Sequence, residues 1–194
     1  MKIGVSSGIL ILAIAAVFLD RNGILPFLLL SAIIHELGHF LTLNLLGARV
    51  GGVEVGLGGA RALVPGMARL SYKKEFAAVA AGPAVNLAAA LVLSRLAAKT
   101  SAEWMFVAAG TNLVLGLFNL LPMRFLDGGR LAQIIAASRV GPVKAEHICA
   151  LLSWVTLSLV LAGALYMGIA FGLYAPLFSA VLYLLGNILS ERLG

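Results

Sequence analysis

The sequence predicts an all-α polytopic membrane protein of about six transmembrane helices, with a small membrane-associated β-hairpin or sheet between helices 2 and 3. Three observations lead there. Hydrophobic residues make up 61% of the 194 and charged residues only 11%, against about 25% charged in an ordinary soluble domain. Mean hydropathy is +1.05. The apolar residues also fall in runs long enough for the ~30 Å of bilayer hydrocarbon, which takes roughly 20 helical residues.

Taken in order, the first expected span runs from about Ile3 to Leu19 and stops at Asp20-Arg21-Asn22-Gly23. A signal peptide is the alternative reading, because Lys2 precedes the apolar core. That core is long for such a leader, and no small-x-small cleavage site follows it. The second span covers about Ile24 to Leu46, the third about Phe76 to Leu96 and the fourth about Trp104 to Leu121. A fifth covers about Ile148 to Phe171, and Gly172 opens a tight connection to a sixth at about Leu173 to Leu189. The length suits a single domain, 1–194, without room for a sizeable soluble module.

Lys and Arg set the orientation. With the sides numbered alternately from the N-terminus, eleven of them fall on the N-terminal side and three, Arg21, Arg95 and Lys99, on the other. That bias predicts a multi-pass protein of the cell membrane with both termini cytoplasmic. The net charge of +6 is then a matter of topology, and no basic cluster interleaved with aromatics points to nucleic acid.

Between the second and third spans, residues 48–66 alternate Val50, Val53, Val55 and Leu57 around Gly51-Gly52 and Gly58-Gly59, the pattern of a short hairpin. An open strand edge there would accept an extended substrate segment along Val53–Leu57; an ordinary surface connection is the alternative. After the fourth span, Leu131, Ile134 and Ile135 with Arg130, Arg139 and Lys144 suggest an amphipathic helix on the cytoplasmic surface. Cys149 is alone in the chain, so it forms no intrachain disulfide, and His147 lacks a spaced partner.

The second span carries the chemistry, in the phrase SAIIHELGHFLTLNLLG. Ionisable groups inside a membrane helix are costly and mark functional sites. His35 and His39, four apart, share one helix face and can share one metal ion, with Glu36 beside it. In such an arrangement the glutamate takes a proton from water activated by zinc, which lowers the water's pKa to about 7. An interhelical hydrogen-bonding cluster without metal is the competing explanation. A catalytic zinc needs a third protein ligand. Asp20 and Glu103 belong to the far side of the membrane, while Glu75, Glu146 and Glu191 sit near exposed ends, and Glu54 lies in the hairpin segment. Asp127 follows the fourth span on the cytoplasmic side in FNLLPMRFLDGGR, after Pro122 and before Gly128-Gly129, which permit unusual backbone. It is the best third ligand.

HELGH followed by Asn119-x-x-Pro122-x-x-x-x-Asp127-Gly128, with AGPAVN at 81–86 between them, resembles the site-2 protease family of intramembrane zinc metalloproteases. The three motifs occur in the family's order and cover residues 31–130. The resemblance implies one zinc per chain held by His35, His39 and Asp127, with Glu36 catalytic. It also implies a membrane-embedded or membrane-associated protein substrate cut near the cytoplasmic face, such as a transcription or sigma-factor precursor. The chain looks most like the compact sporulation-type branch, without that branch's CBS domain; Arg124-Phe125 stand where the family often has prolines. Asn86 and Asn119 are candidates to bind the substrate backbone or the developing oxyanion, or else to tie helix to helix. The partners expected are the bilayer, the substrate protein and a regulatory membrane partner, with no nucleic acid. A catalytically inactive membrane-protein-binding relative and a small metal-binding transporter are the alternatives. The first should have lost the glutamate or a ligand, and all four site residues are present. For the second, the last two spans offer hydroxyls and amides but no charge.

Overall fold

Asp20 shows how sequence turns into structure at the first helix. Its carboxylate accepts from the amides of Asn22 (3.1 Å) and Leu25 (2.6 Å), covering a donor that a helix start leaves open. Pro26 follows within the first turn, where its missing N–H costs nothing. Helix α1 then runs Leu25–Leu45. It ends where Gly47 takes φ +78° and the amides of Gly47 and Ala48 bond back to Asn44 and Leu43, a Schellman closure that favours glycine.

This computed structural model describes residues 2–5, 20, 22–48, 52–56, 59–63 and 70–171, and in the strands only the backbone. The remaining elements are β1 (Lys2–Val5), β2 (Gly52–Gly56), β3 (Gly59–Leu63), α2 (Tyr72–Thr100), α3 (Glu103–Asn119), α4 (Asp127–Val140) and α5 (Pro142–Phe171). The chain divides into two units, Met1–Leu120 and Leu121–Gly194.

Two features correct the expected fold class. The chain is not an all-α bundle with an isolated hairpin. Residues 2–5, expected to open the first membrane span, form a strand that pairs parallel with β2, while β2 pairs antiparallel with β3. Apolar Ile3 and Val5 suit a strand as well as a helix, and over so short a run periodicity cannot separate the two. The order β1-β2-β3 makes β2 the central strand, so within the edge expected along Val53–Leu57 residues Val53–Val55 are already paired on both sides, while Leu57 lies outside the described residues. The second correction concerns the count of six spans. Among the described residues three helices are long and apolar enough to cross a membrane: Leu25–Leu45, Tyr72–Thr100 and Pro142–Ala170. Helix α3, at 17 residues, extends about 25 Å, less than the ~30 Å hydrocarbon. The rest of the first expected span and all of the sixth lie outside the described residues.

In the first unit α2 packs against both α1 and α3. Small residues make this close. A Cβ on Gly38 of α1 would lie 2.9 Å from the Ala81 carbonyl oxygen and 3.2 Å from Gly82 Cα. One on Gly116 of α3 would lie 3.2 Å from Asn86 Cβ. Ala78, Ala90, Ala97, Ala108 and Ala109 are also buried, the pattern of helices that associate in lipid by backbone approach. Large apolar side chains such as Leu41, Leu45, Val92 and Val114 point outward, the reverse of a water-soluble protein and suited to hydrocarbon solvent.

In the second unit α4 packs on α5. The turn between them is made by Gly141 at φ +84°, and Pro142 opens α5 directly. Helix α5 begins six residues before the apolar run expected from Ile148. Met123 and Ala145 are fully buried, beside Cys149 and Ile134 in that unit's core.

Candidate metal centre

The histidines stand mid-way along α1, where the α2 backbone comes closest. His35 is buried and His39 half-buried. Their Nε2 atoms are 3.1 Å apart, and the rings meet edge to face with centroids 4.8 Å apart. The tautomers follow from the partners. His39 Nδ1 lies 2.8 Å from the Ala78 carbonyl oxygen; a carbonyl only accepts, so Nδ1 carries the proton.

His35 Nδ1 is 2.6 Å from Asn86 Oδ1. The Asn86 amide nitrogen donates to the Ser31 carbonyl (3.0 Å) and to Asn112 Oδ1 (2.8 Å). Because the Ser31 carbonyl cannot donate, the amide has one workable orientation and its oxygen must face His35. His35 Nδ1 is therefore also protonated. Both Nε2 atoms then present lone pairs to the same point. Two neutral imidazoles with outward Nδ1–H bonds and converging Nε2 atoms are the donor set a divalent metal takes. The pair fits zinc.

Gly82, in AGPAVN, makes room for it. A Cβ at this buried position would press on His39 Nε2 and lie 2.9 Å from His35 Cε1. Its neighbour Pro83 sits inside α2 and has no N–H for the Val79 carbonyl. The neighbouring Ala78 supplies the carbonyl that holds His39. The phrase thus contributes a close approach at Gly82 and an amide at Asn86.

Asn86 is fully buried, and its carbonyl oxygen and amide nitrogen are both engaged within the bundle. Asn112, Ser31 and Thr111 complete this polar core. Asn112 donates to the Ala108 carbonyl at 2.9 Å, and the Ser31 and Thr111 hydroxyls are 3.1 Å apart. None of these three belongs to a recognisable motif, and the signal each carries in the sequence is that of a polar residue in an apolar run. Asn119 is half-buried and donates to Leu115 of its own helix at 3.1 Å. Glu36 follows His35 on the exposed part of α1.

Asp127 lies in the second unit as the half-buried first residue of α4. The turn before it is tightly specified. The Leu126 amide bonds to the Met123 carbonyl (2.8 Å), and the Arg124 amide donates to Ser153 Oγ (3.1 Å). The Arg124 guanidinium pairs with Glu146 at 3.0 Å. Arg124, which stands where the family often has a proline, thereby anchors the turn to α5 from both its backbone and its side chain. Gly128 and Gly129 begin the helix with ordinary negative φ rather than the unusual backbone expected. Glycine is required at 129 for space, since a Cβ would strike the Met123 carbonyl and the Arg124 amide.

Comparison with known proteins bears on the whole arrangement. Residues 94–163 match the profile of peptidase family M50, a stretch that contains Asn119 and Asp127 but not His35 or His39. The putative zinc metalloprotease Rip3 of Mycobacterium tuberculosis, from two strains, is 38% identical over 122 residues. That alignment takes in 59% of this chain and 31% of Rip3, so the chain spans about a third of the relative's length. The site-2 protease of Methanocaldococcus jannaschii has the same fold, with a TM-score of 0.67 over 98% of this chain and 91% of that one, at 21% identity. With the motifs in order and the imidazole pair set for a metal, the chain is similar to peptidase family M50 over residues 94–163, to a zinc metalloprotease over 122 residues, and in fold to a site-2 protease.

Proposed function

We propose that this protein is an intramembrane zinc endopeptidase that hydrolyses peptide bonds of membrane-spanning or membrane-associated proteins near the cytoplasmic face. The observation that carries the reading is the 3.1 Å convergence of two Nε2 lone pairs, each fixed by a bond at the opposite ring nitrogen. Asp127 supplies the third ligand, chosen from the acids by position along the chain. When bound, zinc supplies Lewis acidity that polarises the substrate carbonyl and makes water a better nucleophile. Glu36 accepts the proton as the water oxygen attacks the carbonyl carbon, then returns it to the amine nitrogen as the C–N bond breaks.

The eleven-to-three distribution of Lys and Arg supports cytoplasmic termini in a cell membrane. A substrate helix must become extended before its peptide bonds are open to attack. The outer strands of the sheet among the described residues, β1 and β3, are the places where such a segment can add as a strand. Cleavage of this kind in a chain with cytosolic cargo would release a regulatory protein, such as a transcription-factor precursor.

Zinc per chain in detergent-purified protein tests the reading. About one zinc is expected in the wild type and in Glu36→Gln, with weakened retention in Asp127→Ala. Only the wild type should retain full cleavage of a reconstituted membrane substrate. A folded wild type that takes up no zinc overturns the proposal in favour of a hydrogen-bonded or transport bundle. Zinc without cleavage of any membrane substrate favours an inactive, binding relative.

A further inference from the structure

The buried amide chain behind His35 extends one residue further than the ligand's own partner. Asn112 Nδ2 donates to the Ala108 carbonyl at 2.9 Å, which can only accept, so the Asn112 oxygen must face Asn86. That oxygen takes one Asn86 N–H at 2.8 Å, and the Ser31 carbonyl takes the other at 3.0 Å. Asn86 Oδ1 is then aimed at His35 Nδ1. Both amides are almost wholly out of solvent, Asn86 at 0% and Asn112 at 2% exposure. The order of dependence runs from the Ala108 carbonyl through Asn112 and Asn86 to the His35 ring, across α3, α2 and α1.

We propose that Asn112 is a positioning residue for the metal centre: through Asn86 it holds His35 in the Nδ1–H tautomer and presents Nε2 to the metal. Without the Asn112 oxygen, one Asn86 N–H is left buried with no acceptor. In a low-dielectric interior that is costly, and rotating the amide to relieve it withdraws the oxygen from His35. The same Asn86 atoms that fix the tautomer are thus fixed in turn by a residue that never touches the metal. The inference rests on the zinc reading of His35 and His39.

Zinc affinity, measured by competition with a chelator of known affinity in detergent-purified protein, tests it. Asn112→Leu should weaken zinc roughly 10- to 100-fold, the usual effect of removing an outer hydrogen-bond partner. Asn112→Asp should stay near wild type, because a buried carboxylic acid offers a carbonyl oxygen to Asn86 and an O–H to Ala108. The decisive comparison repeats Asn112→Leu in an Asn86→Ala background, where no further loss is expected because the route to His35 is already cut. Equal loss in both backgrounds, or no loss in either, overturns the proposal. If Asn112→Leu does not fold, Asn112→Ala takes its place in the same cycle. A wild type that binds no zinc would instead refute the zinc reading itself, so the two failures are distinct.

Discussion

Gly82→Ala is a one-carbon test of how the metal centre is built. The added methyl would press on His39 Nε2 and stand 2.9 Å from His35 Cε1, so the imidazoles or the helices must move. Overpacking of this kind costs about 1–3 kcal/mol. The rings can swing on their side-chain torsions, whereas α2 is held to α1 by the Gly38 contact with Ala81. The strain is therefore relieved chiefly by displacing the imidazoles and must be met again when zinc draws them back. At 1.4 kcal/mol per factor of ten, the affinity for zinc should fall about 5- to 150-fold while the thermal midpoint of the metal-free protein changes little. Gly38→Ala is the companion variant. Its methyl would meet backbone, the Ala81 carbonyl at 2.9 Å, which no torsion can relieve, so it should lower the thermal midpoint of the metal-free protein instead. Chelator competition and thermal unfolding on the same preparations separate the two. Wild-type zinc affinity in a folded Gly82→Ala protein would refute this account of the centre.

Glu36→Gln keeps the side chain's size and removes the base, so cleavage of a reconstituted substrate should fall by roughly 10²- to 10⁴-fold with zinc content unchanged; lost zinc would mean that Glu36 is a ligand. Gly129→Ala puts a methyl into the Met123 carbonyl and should destabilise the protein by about 1–3 kcal/mol, seen as a lower thermal midpoint; no change would show that the turn before Asp127 is slack. Gly47→Ala forces a Cβ into the left-handed region at φ +78° with open space around it. It should cost about 1 kcal/mol through backbone conformation alone, leaving zinc affinity untouched. Removal of zinc by chelation should abolish cleavage reversibly, and activity that survives complete removal would exclude a metalloprotease.

The parts of this protein that could be read from sequence are those with a short-range signature. His35 and His39 at helical spacing, and the apolar run of the second span that carries them, declare themselves within a few residues. The strand at Lys2–Val5 could not be read, because its partner, β2, lies some fifty residues further on. Apolar residues are common to strands and membrane spans alike. Gly128-Gly129 are visible as glycines, but the reason for Gly129, its closeness to the Met123 carbonyl rather than an unusual torsion, is a tertiary fact. Arg124 illustrates the same limit. It stands where the family often has a proline, yet its amide bond to Ser153 and its pairing with Glu146 stabilise that turn by other means.

Asn112 and Ser31 bring out a more general point about reading membrane proteins. In a soluble protein a single asparagine or serine carries little information, because water can satisfy it anywhere on the surface. In a span surrounded by hydrocarbon each amide and hydroxyl must find a partner inside the protein, so polar residues in different spans predict one another. Ser31, Asn86, Thr111 and Asn112 come from three helices and meet in one buried network. That network ends on the His35 imidazole, one of the pair proposed to bind the metal. The carbonyls in it, from Ala108 and Ser31, can only accept, and this removes the flip ambiguity of both amides and the tautomer ambiguity of His35. A backbone that is already hydrogen-bonded as helix thus serves a second time, as the fixed reference from which a metal site is oriented. The glycines at 38, 82 and 116 make this possible by bringing those helices close enough for one short amide side chain to bridge them.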